Sequence, residues 1–332
     1  MAGRFGDVFC VPKSRVLGRL EAWQMEKTQV IFDTDLGEDI DDLYALCLAV
    51  VHPQLDVQAI TTVHGDTQAK ARLAKKVLRP IGRPDIPVGA GISMSEARIA
   101  RKQVLPDPTH SATYIDFVTP DDPEFGTESL AATDVIVSVL REFRSPTSFI
   151  VAGAFSNVAQ ALTQVPDSYR GRIASVASMA GETYALHSEY NVLCDPEAAD
   201  YVFNSGLPVF MGTFHLTARL KATMEDVRRQ CCGRSPLHEV LLACTETWFS
   251  RIGASLPGPV LYDLVPVYWA VDHDWIETRS STVRVELEGA YTRGQTVRFD
   301  GGPVLESTDL DAEKMVKEFF DLIDRPFREM VQ

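Results

Sequence analysis

The chain has 332 residues, with 32 Lys and Arg against 46 Asp and Glu, a formal net charge of −14. Its 45% apolar and 23% charged composition is that of a soluble globular protein, which excludes a disordered or fibrous chain. The acidic balance argues against nucleic-acid and anionic-membrane partners, because both select a basic face.

Residues 1–28 read as an N-terminal extension of unassigned role, with five basic residues and no long apolar run of a secretory signal. No stretch reaches the ~18 uninterrupted apolar residues of a membrane span. The six cysteines form no C-x₂-C pair, so they read as reduced thiols of a cytoplasmic protein.

Beyond residue 28, short apolar runs alternate with amphipathic segments. Gln29–Asp33 predicts a buried strand, Asp42–Val51 a helix, Val57–Val63 a strand and residues 68–78 a helix. Leu105–Phe125, rich in Pro, Asp and Thr, reads as a long surface loop. Leu130–Phe143 is helical, Ser148–Val151 a strand, Asn157–Leu162 a helix and Ser175–Met179 a strand. A helix over Pro196–Phe203 then leads to a strand at Pro208–Met211. Helices follow over Leu237–Ser250, Val265–Val271 and Asp311–Ile323, interrupted by strands at Thr282–Glu288 and Gln295–Phe299. This alternation predicts a single α/β domain over 29–325, with a mainly parallel central sheet flanked by helices and a short tail at 326–332. Ligands of such folds gather beyond the carboxyl ends of the strands.

The densest chemistry follows the first strand. In Asp33-Thr34-Asp35-Leu36-Gly37-Glu38-Asp39-Ile40-Asp41-Asp42, six of ten residues are acidic. A few acids in a first helical turn complement its dipole, but six exceed that need. Two carboxylates ~4 Å apart repel by about 4 kcal/mol at an effective dielectric of ~20, so converging acids require protons or a cation. An all-oxygen donor set suits Ca²⁺ or Mg²⁺. A solvated acidic turn is the plain alternative; the apolar strand before the run and the tight path at Gly37 weigh against it. EF-hand offsets are absent, and a D-x-D phosphohydrolase would not need Asp41-Asp42 so soon.

Asp33-x-Asp35-x-Gly37 with Asp41-Asp42-x-x-Ala45-Leu46 resembles the signature of the inosine–uridine-type nucleoside hydrolases, D-x-D-x-G-x-D-D, lengthened by two residues between Gly37 and the Asp pair. Five further segments match in order: Ala59–Asp66, Ile86–Gly91, Val151–Ala159, Glu189–Ala199 and Thr292–Thr296. The resemblance spans roughly residues 28–325. It implies a nucleoside hydrolase-like fold with a Rossmann-like core, and hydrolysis of the N-glycosidic bond of a ribonucleoside to free base and ribose.

By that resemblance Ca²⁺ is held by Asp35, Asp42, Asp263 and the main-chain carbonyl of Ala152, and Asp35 is also the general base. Asp41, Asp66, Glu189 and Asn191 are the implied ribose contacts, and Asp33 supports them from behind. Tyr262 stands where many relatives carry the His that protonates the leaving base, so it is the expected catalytic partner. Asp39, His64 and His187 are additional candidates near the site; Trp269 and Tyr184 are candidates for the base pocket. Relatives of this kind self-associate, so a homo-oligomer, dimer or tetramer, is implied. A non-catalytic nucleoside or sugar binder that retains the metal cup, or a metal-dependent phosphohydrolase, remains open.

Overall fold

The computed structural model describes residues 27–94, 114, 130–143, 145–271 and 274–324. Residues 1–26 of the extension, the 326–332 tail and most of the Leu105–Phe125 loop lie outside them. Tyr114, within that loop, is described and is wholly buried.

Ten strands form one sheet: β1 (Thr28–Thr34), β2 (Leu55–Thr62), β3 (Val88–Ala90), β4 (Leu130–Ala131), β5 (Thr147–Ala152), β6 (Ile173–Met179), β7 (Val209–Gly212), β8 (Ile276–Val285), β9 (Thr296–Asp300) and β10 (Val304–Leu310). Their order is β4-β3-β2-β1-β5-β6-β7-β10-β8-β9. All neighbours are parallel except the β10–β8 and β8–β9 pairs. The expected mainly parallel sheet is therefore present.

Twelve α-helices accompany it among the described residues: α1 (Asp41–Val51), α2 (Thr67–Ile81), α3 (Ala132–Glu142), α4 (Ser156–Gln164), α5 (Asp167–Arg170), α6 (Tyr190–Cys194), α7 (Pro196–Phe203), α8 (Phe214–Thr217), α9 (Met224–Cys231), α10 (Pro236–Arg251), α11 (Leu264–Trp269) and α12 (Ala312–Ile323). One apolar core joins α1, α2, α10, α11 and α12 to one face of the sheet. A second core joins α3, α4 and α7 to the other. Strands sandwiched this way carry apolar residues on both sides, as β1 does in Val30-Ile31-Phe32.

Three departures from the sequence expectation have physical causes. β8 begins at Ile276, six residues before Thr282, because the polar run Ile276–Ser281 is held by antiparallel pairing to β10 rather than by an apolar pattern. The β10 strand itself, with its inward Glu306 and Ser307, carried no strand signal. α9 is short and strongly polar, and its start is fixed by a capping box between Thr223 and Asp226.

The chain runs outward from β1 through β2, β3 and β4, then returns to β5 on the other side of β1. The switch point therefore lies between β1 and β5, and a ligand crevice opens beyond the carboxyl ends of those strands. No helix among the described residues is long and apolar enough to cross a membrane.

Candidate active site

A cavity of about 310 Å³ opens at that switch point, within the size range of small-molecule sites. Its acidic wall is Asp35, Glu38, Asp39, Asp41, Asp42 and Asp263; Ala152, Met179, Glu189, Tyr190 and Asn191 form another side, with His187, Phe214, Tyr262 and Ile252 completing it.

Local backbone geometry builds the acidic wall. β1 delivers Asp33 and Thr34, and Gly37 turns the chain with φ 107°, a conformation glycine adopts without penalty. Its N–H donates to the Tyr114 hydroxyl at 3.0 Å, which ties the turn to the loop beyond. α1 then begins at Asp41 without a side-chain cap, so Asp41 and Asp42 point their carboxylates into the cavity region rather than capping the helix. From the neighbouring strand, Gly153 lets β5 approach: a Cβ there would fall 2.9 Å from the Asp35 nitrogen.

Asp41, Asp42 and Asp263 each bring a carboxylate oxygen within 4.8 Å of one another, all buried. Asp35 hydrogen-bonds Asp42, and Asp41 hydrogen-bonds Asp263. Two carboxyl groups can share such a bond only if one carries a proton. Burial, followed by mutual repulsion, drives Asp41, Asp42 and Asp263 well above the ordinary carboxylate range. Burial and the charge of Glu38 raise Asp35 to about 7. Asp263 Oδ1 is buried with no hydrogen-bond partner among the described residues. Orphaned oxygen and crowded carboxylates together fit a hard divalent cation.

Thr34, which sequence reasoning missed, donates its hydroxyl to Asp42 Oδ1 and accepts from Leu36 N at 3.1 Å. Asp33 lies behind the cavity, accepting from Thr61 Oγ1 at 2.5 Å and Asn157 Nδ2 at 2.8 Å. Burial raises it to about 7. Asp39 lines the cavity and accepts from Ile40 N at 2.7 Å.

The opposite wall follows β6. Glu189 caps α6, accepting from Gly181 N (3.0 Å), Asn191 N (2.7 Å) and Val192 N (3.1 Å). Asn191 donates to the Met179 carbonyl at 3.1 Å. Phe214 stands between two other rings, with centroids 5.1 Å from His187 and 5.6 Å from Tyr262. Tyr262 is nearly parallel to it, at 16°. Burial and the nearby Asp41 push the Tyr262 phenol up to about 12.

Not every candidate gathers here. Asp66 is exposed and caps α2, accepting from Ala69 N at 2.9 Å, so the structure places it outside the cavity lining. His64 adopts φ 60° beside Tyr190, 6.1 Å between ring centroids, also outside the lining. Trp269 stacks on Phe210 at 4.3 Å, away from the cavity, and Tyr184 stacks on His215 at 4.9 Å. Met179, Phe214 and Ile252 gave no sequence signal, since single apolar residues look alike wherever they pack. Lys70 did leave one: it is a lysine on the buried face of α2, in phase with Ala74 and Val77.

The family model described as inosine-uridine preferring nucleoside hydrolase matches residues 30–321. The pyrimidine-specific ribonucleoside hydrolase RihA of Enterobacter sp. is 31% identical over 278 residues, 81% of this chain and 87% of that one. Its counterpart from Citrobacter koseri is 30% identical over the same shares. Among solved structures, the plant nucleoside hydrolase PpNRh1 superposes with a TM-score of 0.76 at 24% identity, covering 90% of this chain and 99% of that one. The purine-preferring ribonucleoside hydrolase from Gardnerella vaginalis gives 0.77 at 23%, covering 90% and 98%; both share the fold. With the family model spanning nearly the whole described sheet and the acidic cup at its switch point, this chain belongs to the inosine-uridine preferring nucleoside hydrolases, enzymes that hydrolyse N-glycosyl bonds.

Proposed function

We propose that the cavity carries out Ca²⁺-dependent hydrolysis of ribonucleosides to free base and ribose, without a covalent intermediate. The convergence of Asp35, Asp41, Asp42 and Asp263, with Asp263 Oδ1 buried and unpartnered among the described residues, carries this reading. Asp35, Asp42, Asp263 and the Ala152 carbonyl are the residues that would hold the ion. Bound there, a hard divalent cation neutralises the cup and acidifies water.

Asp35 accepts the proton of the attacking water as its oxygen bonds to the anomeric carbon. As the glycosidic bond breaks, positive charge spreads over the ribose ring, and the acidic wall favours that charge over the neutral ground state. Asp41, Glu189 and Asn191 hold the sugar. Asp41 stands close enough to Asp42 and Asp263 to ligate as well; the resemblance gives it to the ribose diol. Asp33 keeps its supporting role behind β1. Asp66 has no part in this arrangement, because its carboxylate serves the α2 cap.

The leaving base needs a proton. A phenol held near 12 keeps its proton throughout the working range, so Tyr262 stacks and donates a hydrogen bond but is a poor acid. His187 is the histidine lining the cavity among the described residues, and imidazole ordinarily titrates near ~6.5. We assign proton delivery to His187. His187→Gln is expected to lower kcat for nucleosides by about 100-fold and to leave p-nitrophenyl β-ribofuranoside, whose leaving group departs unprotonated, nearly unaffected. Equal losses on both substrates would remove His187 from this role. Tyr262→Phe is expected to cost less than about 10-fold on either, the scale of one neutral hydrogen bond.

The decisive assay is a panel of purine and pyrimidine nucleosides, with base and ribose measured with and without chelator. Relatives named for pyrimidine and for purine preference make both halves of the panel necessary. No turnover of any ribonucleoside, with ribose still bound, would leave the binding-protein alternative. The phosphohydrolase alternative is disfavoured because the described lining holds no Lys or Arg to clamp phosphate. A cytoplasmic homo-oligomer belongs to the same proposal; sedimentation of the purified protein as a monomer would refute the assembly.

A further inference from the structure

Glu38 differs from every other acid of the cavity. It belongs to the stretch that lengthens the path from Gly37 to Asp41, and it lines the cavity beside Asp35. Unlike the cup carboxylates it has a countercharge of its own: the wholly buried Lys70 Nζ donates to Glu38 Oε1. Tyr190, from the residue between Glu189 and Asn191, donates its hydroxyl to Glu38 Oε2 at 3.0 Å. The carboxylate is thus held at both oxygens, from α2 on one side and α6 on the other. Lys70 also reaches the Val63 carbonyl at 3.4 Å, which fixes the ammonium at the end of β2.

Burying an ion pair gains little over an apolar pair of the same size, whereas breaking one is costly. Stability alone therefore gives no reason for a lysine on the apolar face of α2. A fixed, ionised acceptor on a substrate cavity does give one. We propose that Glu38 is a specificity-determining residue that accepts a hydrogen bond from the ribose 5′-hydroxyl, with Lys70 and Tyr190 as positioning residues. The assignment rests on the ribonucleoside reading above. The vicinal diol belongs with Asp41, Asp42 and the cation they would hold, and the base with the Phe214–Tyr262 rings. The remaining polar group of the substrate is the 5′-hydroxyl, and Glu38 is the cavity carboxylate that belongs to neither of those groups. An ionised carboxylate only accepts hydrogen bonds, so it selects a hydroxyl at this point and repels a 5′-phosphate.

The test crosses enzyme variant with substrate. kcat/KM is measured for uridine and inosine, and for their 5′-deoxy and 2′-deoxy analogues, in the Ca²⁺-loaded enzyme. In the unaltered enzyme, removal of the 5′-hydroxyl is expected to cost about 10- to 100-fold, the scale of a hydrogen bond to a charged group. The double variant Glu38→Leu with Lys70→Met removes charge and countercharge together. It is expected to bring the 5′-deoxy ratio to within about 3-fold of unity while leaving the 2′-deoxy ratio unchanged, on the same scale. An unchanged 5′-deoxy ratio in that variant, or equal shifts in both ratios, overturns the assignment. Tyr190→Phe keeps the ion pair and gives an independent reading: the 5′-deoxy ratio falls about 3-fold, and no fall counts against the positioning role. Failure of the unaltered enzyme to hydrolyse any nucleoside would refute the underlying reading, whereas normal turnover with a 5′-deoxy ratio already near unity would refute this inference alone.

Discussion

Asp35→Asn is expected to lower kcat by about 10²- to 10⁴-fold, the contribution of a positioned general base, while nucleoside still binds. Asparagine keeps the shape of the side chain and its hydrogen-bonding capacity, but its amide cannot take a proton from water. Asp35 is placed for this task by β1 and the Gly37 turn, and by the close approach of β5 at Gly153. Burial and Glu38 raise it to about 7, and Lys70 opposes that rise. Because Asp35 is also a proposed ligand, the assay is run at saturating Ca²⁺, with occupancy checked by calorimetry. Retention of more than about a tenth of kcat, in a variant that still holds the ion, would move the base elsewhere on the acidic wall.

How much of this could be read from the chain depended on whether the signal was local. β1 and the helix after it announce themselves, since an apolar strand running into six acids has few other solutions. Asp263 was found only by resemblance, being more than 200 residues from the acids it joins, and a single Asp before a short helix carries no pattern of its own. β10 was invisible because Glu306 is inside it, paired with Arg279 at 2.8 Å, and strand periodicity does not register an inward ion pair. Asp66 misled for the opposite reason: its position matched a family motif, yet the local geometry spends the carboxylate on an N-cap. Lys70 was legible in principle. A lysine in phase with Ala74 and Val77 on a helix breaks the amphipathic pattern, and the structure shows its partner to be Glu38.

The same crowding of acids makes metal removal a stability experiment with a definite sign. Folding raises Asp35 and Asp33 from 3.8 to about 7, burial being the largest cause in both. A carboxyl whose pKa is raised by folding binds its proton more tightly in the folded state. The cation-free protein is therefore most stable below the unfolded value, and it loses stability as pH climbs from about 4 to about 7. A shift of this size in one buried group corresponds to on the order of 4 kcal/mol. In chelator, Tm is expected to fall by roughly 5–10 °C between pH 5 and pH 8. Saturating Ca²⁺ should raise Tm more at pH 8 than at pH 5, because the ion replaces protons that the cup has then lost. A residual slope should persist with calcium bound, since Asp33 lies behind β1 and outside the proposed ligand set; Asp33→Asn should remove it. Asp42→Ala is expected to abolish both the calcium-induced rise in Tm and turnover. Stoichiometric calcium in Asp42→Ala would overturn the ligand assignment. A Tm in chelator that rises from pH 5 to pH 8 would mean that these carboxylates do not meet in the folded protein at all.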